Sequence, residues 1–566
     1  MKPKMLFGVL AASLNFHTTC LADTFYWDGD NLGDWNVSTN WSTDPAGSNN
    51  PVSGDFPNDP VDIAIFNAST VTGARTINVK GNWEVASLQF NGSSTVTLQG
   101  GGANQILRIG AGGITAGAAT NTVNIGSASS NQNLAISLMG SQTWAFNSSA
   151  ASPQGGWGIY VRNNISLGVA GTNTLTLAGT INSTNPLSNI SGDISNGLGT
   201  LNIEMSGSSN LRWTLSGNNS YTGTTLVKTG ALTVGHINGL GSTSAGTTVQ
   251  DGASVFMRSG LGSIAAEPIS IVGQGSGSSG ALRNVNGTNI WNGKVTLTGS
   301  AYIGADNSAT SILTLSETAT VERIGSGTPY VATLMGGGTI NVNGGITGDI
   351  SVVRGTTGTT VMTGLDKAYT GTTTINASGN LIVNTSLSGT SGVTVNGTLR
   401  GNGGSIKNTA AVTVSGTGSI ALGTSTTIQD IGSLSMGALT LQSLATMAVD
   451  INSGNLSNDT LTVTSLTLTN GAILAVNDLG SSTLMIGEAL LFIKNSGSWN
   501  GGFFTVNGTQ ILNESTAFKA GENWYQIDYN YDDILGKGVA LVVVPEPAVP
   551  MLGGLALLAL ANRRRR

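Results

Sequence analysis

The chain has 566 residues, 82 of them glycine, with only 9% charged and a formal net charge of −6. Setting aside the two lysines near its start and the four arginines at its end, residues 23–544 hold 17 basic and 28 acidic residues, an acidic balance without basic clusters that excludes phosphate-backbone recognition. The single cysteine, Cys20, excludes a disulfide framework, and 39% hydrophobic residues at regular spacing exclude a disordered chain.

Residues 1–22 read as a secretory signal peptide. Lys2 and Lys4 precede an apolar stretch from Met5 to Leu14, too short to cross a bilayer, and Ala22 is the predicted cleavage point. His17, Thr18 and Thr19 ahead of Cys20 do not form the small apolar box that lipoprotein processing requires. The segment 23–84 is a predicted N-terminal cap, since it concentrates Trp27, Trp35 and Trp41 among prolines and acids. Those rings have two readings: cover for an open strand edge, or a platform for a sugar face, of which the cover is preferred. The run Asp28 to Asp34 begins like a calcium loop, but Leu32 and Thr39 fall where oxygen ligands are needed. No metal is expected there.

From residue 85 to 425 the texture is uniform. Apolar pairs two apart recur between Gly, Asn, Ser and Thr turns: Leu88 and Phe90, Val96 and Leu98, Leu107 and Ile109, Val123 and Ile125, Leu175 and Leu177. They continue at Leu232 and Val234, Val295 and Leu297, Ile340 and Val342, Val393 and Val395, and Val412 and Val414. A two-residue period is that of a strand with one buried face. Short strands over so long a stretch suit a solenoid better than the alternative, tandem β-sandwiches. In a parallel stack like side chains lie about 4.8 Å apart. A column of one charge would repel itself, whereas Asn, Thr and Ser can hydrogen-bond along the stack, and Gly serves the corners.

A longer repeat lies near 211–242 and 359–390. Tyr221 to Thr225 and Tyr369 to Thr373 both read Tyr-Thr-Gly-Thr-Thr, followed by a strand, a Gly-containing turn and a second strand. The second copy departs from the first at Leu365, Asp366 and Lys367, and a looser relative at Gly280 to Gly299 has Trp291 in place of the tyrosine. These segments resemble the autotransporter-associated β-strand repeat of large bacterial surface proteins. The resemblance implies an all-β fold: a right-handed parallel β-helix of the pectin-lyase type, a β-solenoid with terminal caps.

Catalytic patterns are weak. His236 is the only histidine after Ala22, is expected in an exposed turn, and has no serine in a nucleophile elbow to serve. Gly273 to Gly280 is a glycine-rich turn without a strand–helix context, and Gly287 to Val295 misses the phosphate-loop spacing. Residues 426–543 are predicted to hold the last rungs and a C-terminal cap, similar to the end of autotransporter passenger domains. They contain the one tight acidic group, Asp528, Asp532 and Asp533. Pectin-lyase-like helices include polysaccharide hydrolases and lyases, which would use paired carboxylates. The Gly-His-Gly and Arg-x-Lys elements implied by a polygalacturonase resemblance are missing from the sequence. No catalytic residue and no cofactor is therefore expected.

The tail, 544–566, joins Pro545, Glu546 and Pro547 to an apolar run from Met551 to Ala561 and to Arg563 through Arg566. Order and position resemble the PEP-CTERM sorting signal of Gram-negative-type bacteria. The resemblance implies an exosortase-type processing enzyme as partner, a transient inner-membrane anchor, and delivery to the cell surface or extracellular matrix. It also implies exopolysaccharide as a candidate ligand. No amphipathic barrel strands follow the last rungs, so the tail would stand in for an autotransporter's own pore. The expected function is a non-enzymatic structural or adhesive surface protein, with a β-helical polysaccharide hydrolase or lyase as the alternative.

Overall fold

The computed structural model describes residues 22–547 apart from 30–31, 67–72, 103, 118, 149–155, 182–187, 259, 307–309, 356, 426–429 and 512–515. The body of the signal peptide, the apolar run of the tail and the terminal arginines lie outside the described residues.

The protein is all-β, 52% strand and 2% helix. Antiparallel strand pairs among the described residues are confined to Thr24–Trp27 with Trp41–Ser42 and to a few within 446–544. The strand pairs between are parallel, in ladders that the chain visits in rotation, with one isolated antiparallel bridge from Gly401 to Gly423. Gln105–Ala116 bends across two of them and Thr122–Ile125 follows on a third. Leu134–Leu138, Gln142–Phe146 and Gly158–Val161 then return to lie beside them, pairing Leu134 with Gln105, Trp144 with Ile114, and Gly158 with Thr122. The next pass repeats this, Ile136 beside Ile165, Gln142 beside Leu175, Tyr160 beside Asn189. Stacked coils with parallel ladders of this length are compatible with a β-solenoid.

In-register stacking follows from the two-residue period. Each apolar pair read from the sequence sits in a strand with both members buried, and in Gln105–Ala116 Leu107 and Ile109 are fully enclosed. A slip of one residue would turn the apolar set outward, so the register is fixed by burial. Where a strand must bend from one ladder to the next, Gly113 takes φ +64°, and a Cβ there would run into the Thr143 carbonyl of the next coil.

Coil length is not constant. Ile203 lies beside Thr225, Thr225 beside Thr247 and Thr247 beside Ile269, an advance of 22 residues each time. Elsewhere Trp144 lies beside Leu177 and Ser386 beside Ser405. Extra residues are taken up in the turns, which leaves the ladders unbroken.

At the N-terminal end Trp27, Trp35 and Trp41 are buried, not displayed. Trp41 meets Trp27 edge-on at 5.1 Å and Trp35 at 4.9 Å, with Phe66 beneath. Trp41 Nε1 donates to the Trp35 carbonyl and Trp35 Nε1 to the Pro57 carbonyl. The rings close the first coil, and none is left free to stack on a sugar. At the other end Ala489–Asn495 pairs antiparallel with Gly536–Val544, which pairs with Asn523–Asp533, and that with Phe518–Ala520.

Candidate binding surface

The repeat motif has an inward chemistry. Tyr221 is buried with its hydroxyl 2.8 Å from that of Thr225, and Tyr369 is buried 2.5 Å from Thr373. Tyrosine thus fills a core corner while the threonine four residues on satisfies its polar end. In the looser relative the residue four after Trp291 is Val295, which occupies the same ladder column as Thr225, and Trp291 Nε1 is left without a partner. The two copies do not share a ladder. Thr225–Val227 continues the column of Ile203 and Thr247, whereas Thr373–Ile375 lies beside Val352 in another. Because the Tyr–Thr bond is internal to the motif, it serves on either face.

Burial reshapes several ionisable groups that the sequence did not single out. Lys367, at the departure in the second copy, points inward with its ammonium donating to the carbonyls of Thr363, Leu365 and Asn343; burial brings its pKa down to about 8. Arg354 is likewise enclosed by the carbonyls of Leu334, Gly336 and Gly358, and burial lowers it to about 10. Glu267 accepts from the Thr247 hydroxyl at 2.8 Å, and burial pushes it up to about 7. Asp459 is also raised to about 7 by burial, although both its oxygens accept backbone N–H groups, from Gly432 and Asp450. These groups knit one coil to another. No local motif marks them, because their partners are backbone groups or hydroxyls, several of them on another coil.

The acidic group of the C-terminal cap does not make a paired-carboxylate site. Asp532 and Asp533 lie exposed at the tip of a hairpin, where Asp532 pairs with Lys537 at 3.1 Å and Asp533 accepts from the Ile534 N–H. Asp528 accepts from the Asn530 N–H. His236 is half-buried rather than exposed; its Nδ1 accepts the Asn238 N–H within the turn. In the calcium-like run, Asp34 bonds Lys80 at 2.7 Å and Asn78, and the Lys80 hydrogen bond leads in lowering its carboxyl pKa. No group of three or more metal-ligating side chains occurs among the described residues. Ala22 is exposed just before the first strand, and Pro545, Glu546 and Pro547 are exposed just after the last.

What the stack presents outward is mostly uncharged. Hydrogen bonds join neighbouring coils from Gln99 to Asn78, Ser216 to Asn189, Asn238 to Asn218 and Asn341 to Thr314. Some charges that meet between coils are opposite in sign, as in Lys228 with Glu204 and Lys294 with Glu322. One column is all hydroxyl, Ser386, Ser405, Ser435 and Thr462 side by side, ending at Lys494. It floors a groove of about 440 Å³ that also takes in Lys407, Asn408 and Ser496. A second groove, of about 250 Å³, is lined by Asn495, Gly497, Trp499, Tyr529, Tyr531 and Lys537. There Trp499 lies parallel to Tyr529 at 5.1 Å. A row of hydroxyls in one groove and aromatic rings in another suit a polyhydroxylated chain, which offers both hydrogen-bonding edges and apolar ring faces.

No protein-family model and no curated protein matches the chain.

Proposed function

We propose that this is an exported, non-enzymatic surface or extracellular-matrix protein, structural or adhesive, on a right-handed parallel β-helix of the pectin-lyase type. Its C-terminal signal is processed by an exosortase-type enzyme after transient anchoring in the inner membrane. Polysaccharide is its ligand, held weakly and repeatedly along the stack. The observation that carries this reading is the outward hydroxyl column from Ser386 to Thr462 that floors one groove, together with the separate groove lined by Trp499 and Tyr531. The sorting role rests on the sequence of the tail; the exposure of Pro545 to Pro547 beyond the last strand leaves the triplet accessible to a processing cleft.

The test is incubation of the purified protein with a panel of neutral and acidic polysaccharides, scored for retention and for released oligosaccharides. Retention without cleavage, weakened about tenfold by Trp499→Ala, is the expected result. Released oligosaccharides that vanish in Asp532→Asn/Asp533→Asn would establish the hydrolase or lyase instead.

A further inference from the structure

In an acidic chain with few cations, three arginines gather on one outward face. The column Thr214, Thr233, Phe256 and Arg283 runs across four consecutive coils. Phe256 faces outward there and is nonetheless only 1% exposed, because guanidinium groups cover it. Arg283 lies 4.8 Å and Arg212 5.5 Å from its ring centre. Arg258, two residues beyond Phe256 in the same chain direction, is close enough to Arg212 for the two positive charges to disfavour one another.

Of the three, only Arg283 is ion-paired among the described residues, although the Asp306 charge also favours the charged form of Arg212. Arg283 holds Asp306 through both Nε and Nη2, at 2.6 and 2.7 Å. Arg212 and Arg258 form no ion pair among the described residues. Two polar atoms at the patch are buried without a partner, Arg258 Nε and the Thr233 hydroxyl beside Phe256. Like charges assembled on a rigid sheet face, with donors already withdrawn from water, are costly unless an anion completes them. Phe256 holds the Arg212 and Arg283 guanidinium groups by cation–π contact, so those two forks are held ready.

We propose that Arg212, Arg258 and the Asp306-braced Arg283 around Phe256 form an oxyanion-binding site that takes the carboxylate or sulfate groups of an acidic polysaccharide. That the anion is carried on a sugar polymer rests on the adhesive reading above; the anion site itself rests on the patch. A phosphodiester chain is the poorer fit, because the chain as a whole is acidic and poor in the cations that successive phosphates would need.

The experiment measures binding of polygalacturonate, dextran sulfate, neutral dextran and single-stranded DNA to the mature protein at low ionic strength. Wild type is compared with Arg212→Gln/Arg258→Gln, and with Lys228→Gln as a control for loss of a surface charge. The expected result is a loss of about tenfold or more for polygalacturonate or dextran sulfate in the double variant only. The polymer that loses more identifies carboxylate or sulfate as the preferred group. Should the double variant fail to fold, Arg212→Lys/Arg258→Lys decides, since it keeps charge without the fork and should weaken binding several-fold. Equal binding of acidic polymers by wild type and variants overturns the site, as does DNA binding tighter than either polysaccharide, or no acidic polymer bound at all. Retained dextran binding alongside any of these leaves the adhesive reading standing, whereas loss of every polysaccharide removes both.

Discussion

Glu267 is a carboxyl whose environment was set by a neighbouring coil. One carboxyl oxygen accepts from the Thr247 hydroxyl, and the other is buried without a partner among the described residues. With a pKa of about 7 in the folded protein against 4.5 ordinarily, it keeps a proton that the unfolded chain has already lost at intermediate pH. The folded state then binds more protons, so this contribution to stability is full below about pH 4.5 and disappears as pH rises through about 7. Glu267→Gln should therefore gain stability over wild type at pH 8, on the order of 1–3 kcal/mol, and little at pH 4. Urea midpoints at the two pH values check this; parallel pH dependences for both proteins would count against it. Sequence pattern reached the strand pairs, because burial on one face imposes a period of two. It did not reach Glu267, Lys367 or Arg354, whose partners lie on other coils or are backbone carbonyls.

Among the elements, the N-terminal aromatic box has the most concentrated packing. Trp41 contacts Phe25, Trp27, Trp35 and Phe66, and a hydrogen bond fixes its indole. Trp41→Ala should cost about 3–5 kcal/mol locally. Since each coil touches chiefly its neighbours, that loss should stay near the end of the stack. Hydrogen exchange should show faster exchange in Thr24–Trp27 and Ile63–Phe66 while Thr225–Val227 and its neighbours stay protected; uniform deprotection would mean the stack unfolds as one unit. The tryptophans stood out in the sequence as unlike the repeats. What composition could not decide was cap or platform, since both use clustered aromatic rings. Their direction depends on Trp27 ending a strand that pairs with Ile63–Phe66, and on Trp35, in the turn after Leu32–Asp34, being tied by its backbone N–H to the Asn78 carbonyl of the next coil.

Taken whole, the molecule is a stack in which length and register are separable. The three successive 22-residue steps through Ile203, Thr225, Thr247 and Ile269 make one coil removable without disturbing the rest. Deleting residues 225–246 would set Thr247 beside Ile203, and would return a hydroxyl to Tyr221, because Thr247 takes the column of Thr225. The shortened protein should keep its strand-type circular dichroism and melt cooperatively, close to the parent. The same deletion started eleven residues later, with half the length, should collapse both. The sequence could not show how many residues each coil uses, because turn length varies freely while strand spacing does not. The two Tyr-Thr-Gly-Thr-Thr copies illustrate it: alike to the eye, they belong to different ladders.

The closing hairpin has a mechanical consequence. Gly536–Val544 is flanked on one side by Ala489–Asn495 and on the other by Asn523–Asp533, antiparallel to both, and the chain leaves it at Pro545. Tension applied along that strand from Pro545 would load both rows of hydrogen bonds at once, in shear, rather than opening them one by one. Because Ala489–Asn495 pairs in turn with Thr460–Val463, the pull would pass directly into the parallel ladders. Whatever holds the tail would thus grip the entire stack, and the joint nearest the grip is among the hardest to peel.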